Sequence, residues 1–239
     1  MLIVLRAILI SSNLILVGTA GTLICMFRPF HTGYTHLFAR CFGYFGAKIL
    51  GLKITVHNRE RIVSTPSCVY VSNHQNNIDL FVCGNVIRKR TVSIGKKSLK
   101  FLPFFGPLYW LSGNILIDRD NVRKSLRKMD EDTDKTLIEK DTSIWIFPEG
   151  TRNSSETLLP FKRGAFRTAI KSQVPILPIC VSSYAKKTNF NRLTSCEIEV
   201  TVLEPISTKN LKTSDAGRLA LECQEKIQET LTWMNAKSR

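Results

Sequence analysis

No two of the seven cysteines (Cys25, Cys41, Cys68, Cys83, Cys180, Cys196 and Cys223) form a C-x-x-C pair, and several lie inside apolar runs. That spacing indicates neither a disulfide framework nor a thiolate zinc site, and it points to reduced, packing cysteines in a cytosolic compartment. Low-complexity stretches, internal repeats and flexible linkers are absent, and with 44% apolar residues this excludes disorder. There is no G-x-S-x-G, which removes the nucleophile elbow of an α/β-hydrolase. Gly95-Lys96-Lys97-Ser98 resembles the end of a phosphate-binding loop, but the glycine required five residues earlier is Arg90, so that motif is excluded as well. Acidic residues are scarce: 19 Asp and Glu against 34 Lys and Arg leave a net charge of +15. Such a balance favours an anionic partner, whether phosphate headgroups, nucleic acid, an acidic protein or a phosphorylated substrate, and does not choose among them.

Charge is missing altogether from Ala7 to Phe27, which is rich in Leu, Ile and Val with Ser11, Ser12, Asn13, Thr19 and Thr22 interspersed. A bilayer span needs about 20 such residues. A cleaved signal peptide is disfavoured by the lone Arg6, the apolar length and a Cys-Met-Phe-Arg-Pro exit without a small-x-small site. A spanning anchor with Arg28 on the cytoplasmic side and a helix half-embedded in one leaflet both fit, so membrane attachment is expected and its depth stays open. From Thr35 to Leu50, a stripe of Leu37, Phe38, Cys41, Phe42, Phe45 and Ile49 predicts a second helix, either core-packing or interfacial, stopped at Gly51.

From Leu52 onward, short strands alternate with helices. Strands are expected at Lys53–Val56, Val69–Val71, Thr91–Ile94, Gly113–Arg119, Ser143–Phe147, Val174–Val181 and Glu197–Val202. Helices are expected near Ile78–Arg88, over Asn121–Glu139, after Lys162 and from Thr213 to Met234. Phe101 to Leu111, aromatic and broken by prolines, reads as a buried irregular segment or an acyl-binding wall. The alternation predicts an α/β fold, a largely parallel β-sheet flanked by helices, preceded by an N-terminal membrane-associated two-helix segment. The corresponding division is 1–51 for the helical segment and 52–239 for the α/β domain. At 239 residues the chain suits one sizeable domain with an appendage.

Polar clusters gather where strands of such a sheet end, which is where open α/β sheets place their sites. His74 and Asp79 follow the Val69–Val71 strand. On a continuous helix their separation would turn them about 140° apart. They can meet if His74 occupies the turn and Asp79 the first turns of the next helix, with Asn76 or Asn77 as N-cap. A carboxylate so placed fixes the imidazole tautomer and leaves the other ring nitrogen to take a proton from a hydroxyl. Asp118-Arg119 and Glu149-Gly150-Thr151-Arg152 end two further strands. Their arginines, with Lys96 or Lys97, suit a phosphate because the guanidinium fork binds its oxygens bidentately. Each such residue alone is ordinarily a surface charge; three strand-end clusters together make the functional reading the stronger one.

In these blocks the chain resembles the glycerophospholipid acyltransferases, specifically the 1-acylglycerol-3-phosphate (lysophosphatidate) acyltransferases of the bacterial membrane type. Asn73-His74 to Asp79 matches N-H-x-x-x-x-D, Gly113 to Arg119 matches G-x-x-x-I-D-R, Phe147 to Arg152 is F-P-E-G-T-R, and Val174 to Ile179 is the proline-bearing apolar block. Asn153 departs from the serine common after Thr-Arg. The resemblance spans almost the whole chain and implies the glycerolipid acyltransferase fold. It implies His74 as general base on the sn-2 hydroxyl of lysophosphatidate, supported by Asp79, with direct attack on the thioester of acyl-ACP or acyl-CoA to give phosphatidate. It assigns acceptor binding to Gly113, Arg119, Glu149, Gly150, Thr151 and Arg152, with Lys97 beside them, and the apolar donor side to Pro178. It implies no metal and no cofactor beyond the acyl donor, a phospholipid membrane as partner, no nucleic acid, and a bacterial inner-membrane location with the catalytic domain facing the cytoplasm. Acylation of another acceptor, such as glycerol 3-phosphate, is the nearest alternative; a non-enzymatic basic membrane-tethered protein explains the charge but not the three strand-end blocks.

Overall fold

The computed structural model describes residues 1–118, 136–137 and 141–237. Its elements run α1 (Leu2–Phe27), α2 (Thr32–Leu50), β1 (Leu52–His57), α3 (Glu60–Ser64), β2 (Val69–Ser72), α4 (Asp79–Val86), β3 (Thr91–Lys96), α5 (Phe105–Leu111), β4 (Ile115–Ile117), β5 (Ser143–Ile146), α6 (Gly164–Lys171), β6 (Ile176–Val181), β7 (Cys196–Val202) and α7 (Ala216–Lys237). The expected helix over Asn121–Glu139 and the candidate Arg119 lie outside the described residues, Thr136 and Leu137 excepted. The chain divides into two compact units. One draws on Met1–Lys53, Leu80–Asp132 and Asn189–Cys196, the other on Ile54–Asp79, Thr133–Thr188 and Glu197–Arg239, in each case through the described residues.

The second unit carries the sheet that ends at the His74 cluster. β2 pairs in parallel with β5 on one side (Val69↔Ile144, Val71↔Ile146) and with β6 on the other (Val69↔Ile176, Ser72↔Ile179). β7 is antiparallel to β6, with Ile179 opposite Val202. Burial explains the sequence patterns. β2 and β6 are buried at every position, so they read as unbroken apolar runs, whereas β7 alternates buried and more exposed positions as a half-solvated strand does. α6 and α7 pack on this sheet. The largely parallel sheet flanked by helices is therefore as the sequence predicts.

In the first unit, β3 and β4 are a parallel pair, Ile94 opposite Ile115. α1 and α2 pack on each other, and α1 also packs on α5. α1 has a mean hydropathy of 2.0 with only 11% of its most apolar window buried. Its packed side is made of small residues. A Cβ on Gly18 would stand 2.7 Å from the Phe104 carbonyl oxygen, and one on Gly21 2.8 Å from Leu108. Glycine there allows the close approach that aliphatic residues would block. Cys25, Phe38, Phe42 and Leu108 form the buried cluster beneath. α2 ends where expected, with Gly51 left-handed at φ +67° and its N–H returned to Lys48.

Two details depart from expectation. Phe101 to Leu111 is a 3-10 turn (Lys97–Phe101) followed by α5, not an irregular buried segment. Pro107 falls in the first turn of α5, where its missing N–H has no intrahelical partner to lose. Phe101, Leu102, Phe104 and Trp110 stay exposed, at 74, 46, 44 and 45%. Second, Arg6, which the apolar pattern leaves as a lone charge, is buried. Its guanidinium donates to the carbonyls of Phe190, Arg192 and Leu193 at 2.7–2.8 Å and to the Ser195 hydroxyl. A buried charge with four acceptors is stable; the acceptors without it are not. Replacing Arg6 with Met strands three carbonyls and should cost at least about 1–3 kcal/mol, read as a lowered midpoint in denaturant unfolding of the purified protein.

Candidate active site

The chain leaves β2 at Ser72 and is held in its turn by its own amide side chains. Asn73 extends the ladder beyond the strand end: its Nδ2 donates to the Val181 carbonyl at 2.8 Å and its Oδ1 accepts the Val181 N–H at 2.9 Å. Gln75 donates from Nε2 to the Ser182 carbonyl at 2.8 Å and accepts the Tyr184 N–H at 3.0 Å. Both side chains are buried, so these bonds are made away from water. Asn76 Oδ1 accepts the Ile78 N–H at 2.7 Å, an Asx turn that leads the chain into α4 at Asp79. Of the two expected caps, this gives the capping contact to Asn76.

His74 thus stands in the turn and Asp79 at the start of the helix, and the two side chains meet. Nδ1 of His74 lies 2.6 Å from Oδ2 of Asp79. A carboxylate oxygen only accepts, so Nδ1 carries a proton, and in the neutral imidazole the lone pair then lies on Nε2. The same Oδ2 accepts the N–H groups of Gln75 at 2.6 Å and Asn76 at 3.0 Å, and Oδ1 accepts the Tyr184 hydroxyl at 2.5 Å. The Asp79 side chain is 3% exposed while that of His74 is 20% exposed, so the carboxylate is enclosed and the imidazole reaches the surface. The imidazole stacks on Phe147, centroids 4.1 Å apart at 17°.

Glu149 supports the other side of the histidine. Its Oε1 accepts the His74 backbone N–H at 3.0 Å, and its Oε2 accepts Asn153 Nδ2 at 3.0 Å and the Leu159 N–H at 3.1 Å. The Asn153 N–H in turn donates to the His74 carbonyl at 2.7 Å. The buried carboxylate faces three N–H donors, and the residue that departs from the family's serine is one of them. Gly150 is left-handed at φ +69°, a conformation that strains any side chain; a Cβ there would stand 2.5 Å from the Lys162 ammonium nitrogen and displace that flexible side chain. Thr151 and Arg152 follow on the exposed surface of this turn. Pro178 is buried in β6 opposite Val71, and its carbonyl accepts the Leu203 N–H at 2.9 Å.

His74, Asp79, Glu149, Gly150, Thr151, Arg152 and Pro178 all belong to the second unit, and direct hydrogen bonds join the first three. Lys97 and Gly113 belong to the first unit: Lys97 is exposed with its ammonium 3.4 Å from Asp118 Oδ2, and Gly113 is left-handed at φ +97°. Tyr184 and Gln75 are site residues that sequence reasoning missed. Tyr184 stands 105 positions from the carboxylate it touches, and a lone tyrosine after an apolar strand looks like core. Cys180 and Cys223 of this unit are not offered as nucleophiles: burial pushes both up to about 12, leaving them protonated at neutral pH.

The family described as Acyltransferase matches residues 53–182. The chain is 38% identical over 97% of its length to the 1-acyl-sn-glycerol-3-phosphate acyltransferase of Escherichia coli strain K12, covering 94% of that protein. The chain belongs to the acyltransferase family. It is also 34% identical to the human 1-acyl-sn-glycerol-3-phosphate acyltransferase beta, over 90% of this chain and 78% of that protein. The crystal structure of the 1-acyl-sn-glycerophosphate acyltransferase of Thermotoga maritima superposes with a TM-score of 0.75 at 20% identity, covering 100% of this chain and 95% of that one, which establishes a shared acyltransferase fold. In this acyltransferase, Glu149→Gln should be destabilising, because one of the two acceptor oxygens becomes an NH2 that must face either the His74 N–H or the Asn153 and Leu159 donors. The expected loss is about 1–3 kcal/mol in denaturant unfolding.

Proposed function

We propose that the protein transfers a fatty acyl group from a thioester to the sn-2 hydroxyl of 1-acylglycerol 3-phosphate, forming phosphatidate. The observation that carries this reading is the 2.6 Å contact of His74 Nδ1 with an enclosed Asp79 carboxylate, on an imidazole that still reaches the surface. His74 Nε2 takes the hydroxyl proton as the oxygen attacks the thioester carbonyl. The imidazolium so formed faces Asp79, and when the C–S bond breaks it returns the proton to the leaving sulfur, giving an ester and a free thiol. General-base assistance of this kind contributes about 10²–10⁴-fold, and holding two lipids in register supplies much of the remainder. No acyl-enzyme is required, and the protonated state of Cys180 and Cys223 accords with that.

Acceptor binding is proposed at the Gly150-Thr151-Arg152 turn, where Arg152 is the exposed cation suited to a phosphate. Glu149 serves it by holding His74 and the turn together. For Lys97, Gly113 and Arg119 the assignment to the acceptor, and for Pro178 the assignment to the donor side, rests on their places in the family's sequence blocks. The donor is proposed to be acyl-ACP or acyl-CoA; the net charge of +15 leans towards the acidic carrier protein as a class. No metal or cofactor is part of the proposed chemistry. The apolar length of α1 supports attachment to a phospholipid membrane, where the acceptor resides, and a bacterial inner-membrane location facing the cytoplasm is proposed with it. No nucleic-acid partner is proposed.

The test is thiol release by the full-length protein in detergent or lipid, with acyl-ACP and acyl-CoA supplied separately against lysophosphatidate, glycerol 3-phosphate and other lysophospholipids. Lysophosphatidate should be the preferred acceptor. His74→Ala and Asp79→Asn should each lower kcat by at least about 10²-fold with vesicle binding unchanged. Undiminished acylation by His74→Ala would remove the imidazole from the chemistry, and preference for another lysophospholipid would replace the acceptor named here.

A further inference from the structure

We infer that Tyr184 is a positioning residue for the base, acting through Asp79; this rests on the reaction proposed above. His74, Gln75 and Asn76 all donate to Oδ2 of Asp79, on the side of the carboxylate that faces the turn. Oδ1 lies on the opposite side and is met by the Tyr184 hydroxyl at 2.5 Å. Carboxylates rotate about their terminal bond in a broad well, and three donors on one oxygen do not by themselves fix the plane. A fourth donor on the other oxygen does. The tyrosine is itself immobile: it has no exposed surface, and its backbone N–H is fixed by Gln75 Oε1 at 3.0 Å. Its hydroxyl has one proton to give, and Asp79 Oδ1 at 2.5 Å and Asn76 Oδ1 at 3.0 Å are both in range of it. The charged and closer acceptor takes it, since hydrogen bonds to ionised groups are the shorter and stronger kind.

The consequence is a chain of contacts, from Tyr184 Oη to Asp79 Oδ1, and from Asp79 Oδ2 to His74 Nδ1, that ends at the lone pair of Nε2. Gln75 closes the loop, because its backbone N–H holds Asp79 while its side chain holds Tyr184. Without the phenol, Asp79 is free to swing, and the imidazole loses part of what selects its Nδ1–H tautomer. Tyr184 does not touch the reacting atoms.

Tyr184→Phe keeps the ring and removes the hydroxyl alone. With acyl-CoA and lysophosphatidate, kcat should fall about 10- to 100-fold, the scale of one hydrogen bond to a charged group, with KM for both substrates within about twofold of wild type. In an Asp79→Asn background, the same substitution should lower kcat by less than about threefold, because the partner through which it acts is gone. A merely structural role predicts equal losses in both backgrounds and overturns the inference, as does an unchanged kcat in the first. Nitrogen-15 spectra of histidine-labelled protein need no turnover. The His74 signal should be the Nδ1–H tautomer in wild type and shift towards Nε2–H in Tyr184→Phe; an unshifted signal overturns the inference. A wild type that acylates nothing, with the shift still present in Tyr184→Phe, would sink the proposed reaction and leave the positioning role standing. Should Tyr184→Phe fold poorly, 3-fluorotyrosine at this position, which alters the donor and keeps the shape, reads the same tautomer.

Discussion

The carboxylate of Asp79 is the point on which the site depends. It is enclosed, and four donors from a turn and a distant loop converge on it. Burying an ionisable group costs free energy unless hydrogen bonds replace the lost water. Here the replacements are the groups that need to be placed: an imidazole, two backbone amides of the turn, and a phenol. One desolvated group thereby fixes the turn, the entry to α4 and the tautomer of the base. Glu149 repeats the device from the other side, with three N–H donors on a second buried carboxylate. The His74 backbone is held at its nitrogen and its oxygen, and its ring is held on one edge and one face. Little remains for the side chain but to present Nε2.

That two acidic residues should serve this purpose in so basic a chain is informative. Among the described residues every Lys and Arg except Arg6 is at least partly exposed, whereas Asp79 and Glu149 are both buried and act as acceptors. Net charge describes how the protein meets an anionic surface at a distance; it says nothing of the local chemistry, which turns on the few carboxylates kept away from solvent.

Much of this was legible in the sequence, for reasons that can be located. Strands β2 and β6 announce themselves because both faces are covered, so apolar residues run without a break; β7 announces itself by alternation. The His74–Asp79 contact was legible because a five-residue spacing diverges on a continuous helix but closes when a turn is followed by a helix start. What could not be read were contacts with no sequence period. Tyr184 reaches Asp79 across the β2–β6 ladder, and only the parallel register, Ser72 opposite Ile179, brings their segments together. Phe101–Leu111 misled for a local reason: prolines suggest a broken segment, yet a proline in the first turn of a helix interrupts nothing. Arg6 misled because a lone cation in an apolar stretch gives no hint of carbonyls from a loop some 190 residues away.

That arginine bears on how α1 is presented. The first turns of the helix are tied to the Phe190–Ser195 loop through the guanidinium, while Gly18, Gly21 and Cys25 seat the later turns on Phe104, Leu108 and Phe38. Beside those fastenings Leu5, Ile8, Leu16, Leu23 and Phe27 stay bare. The helix is thus held along one side and keeps an oily flank on the other, and an apolar medium is what would cover such a flank.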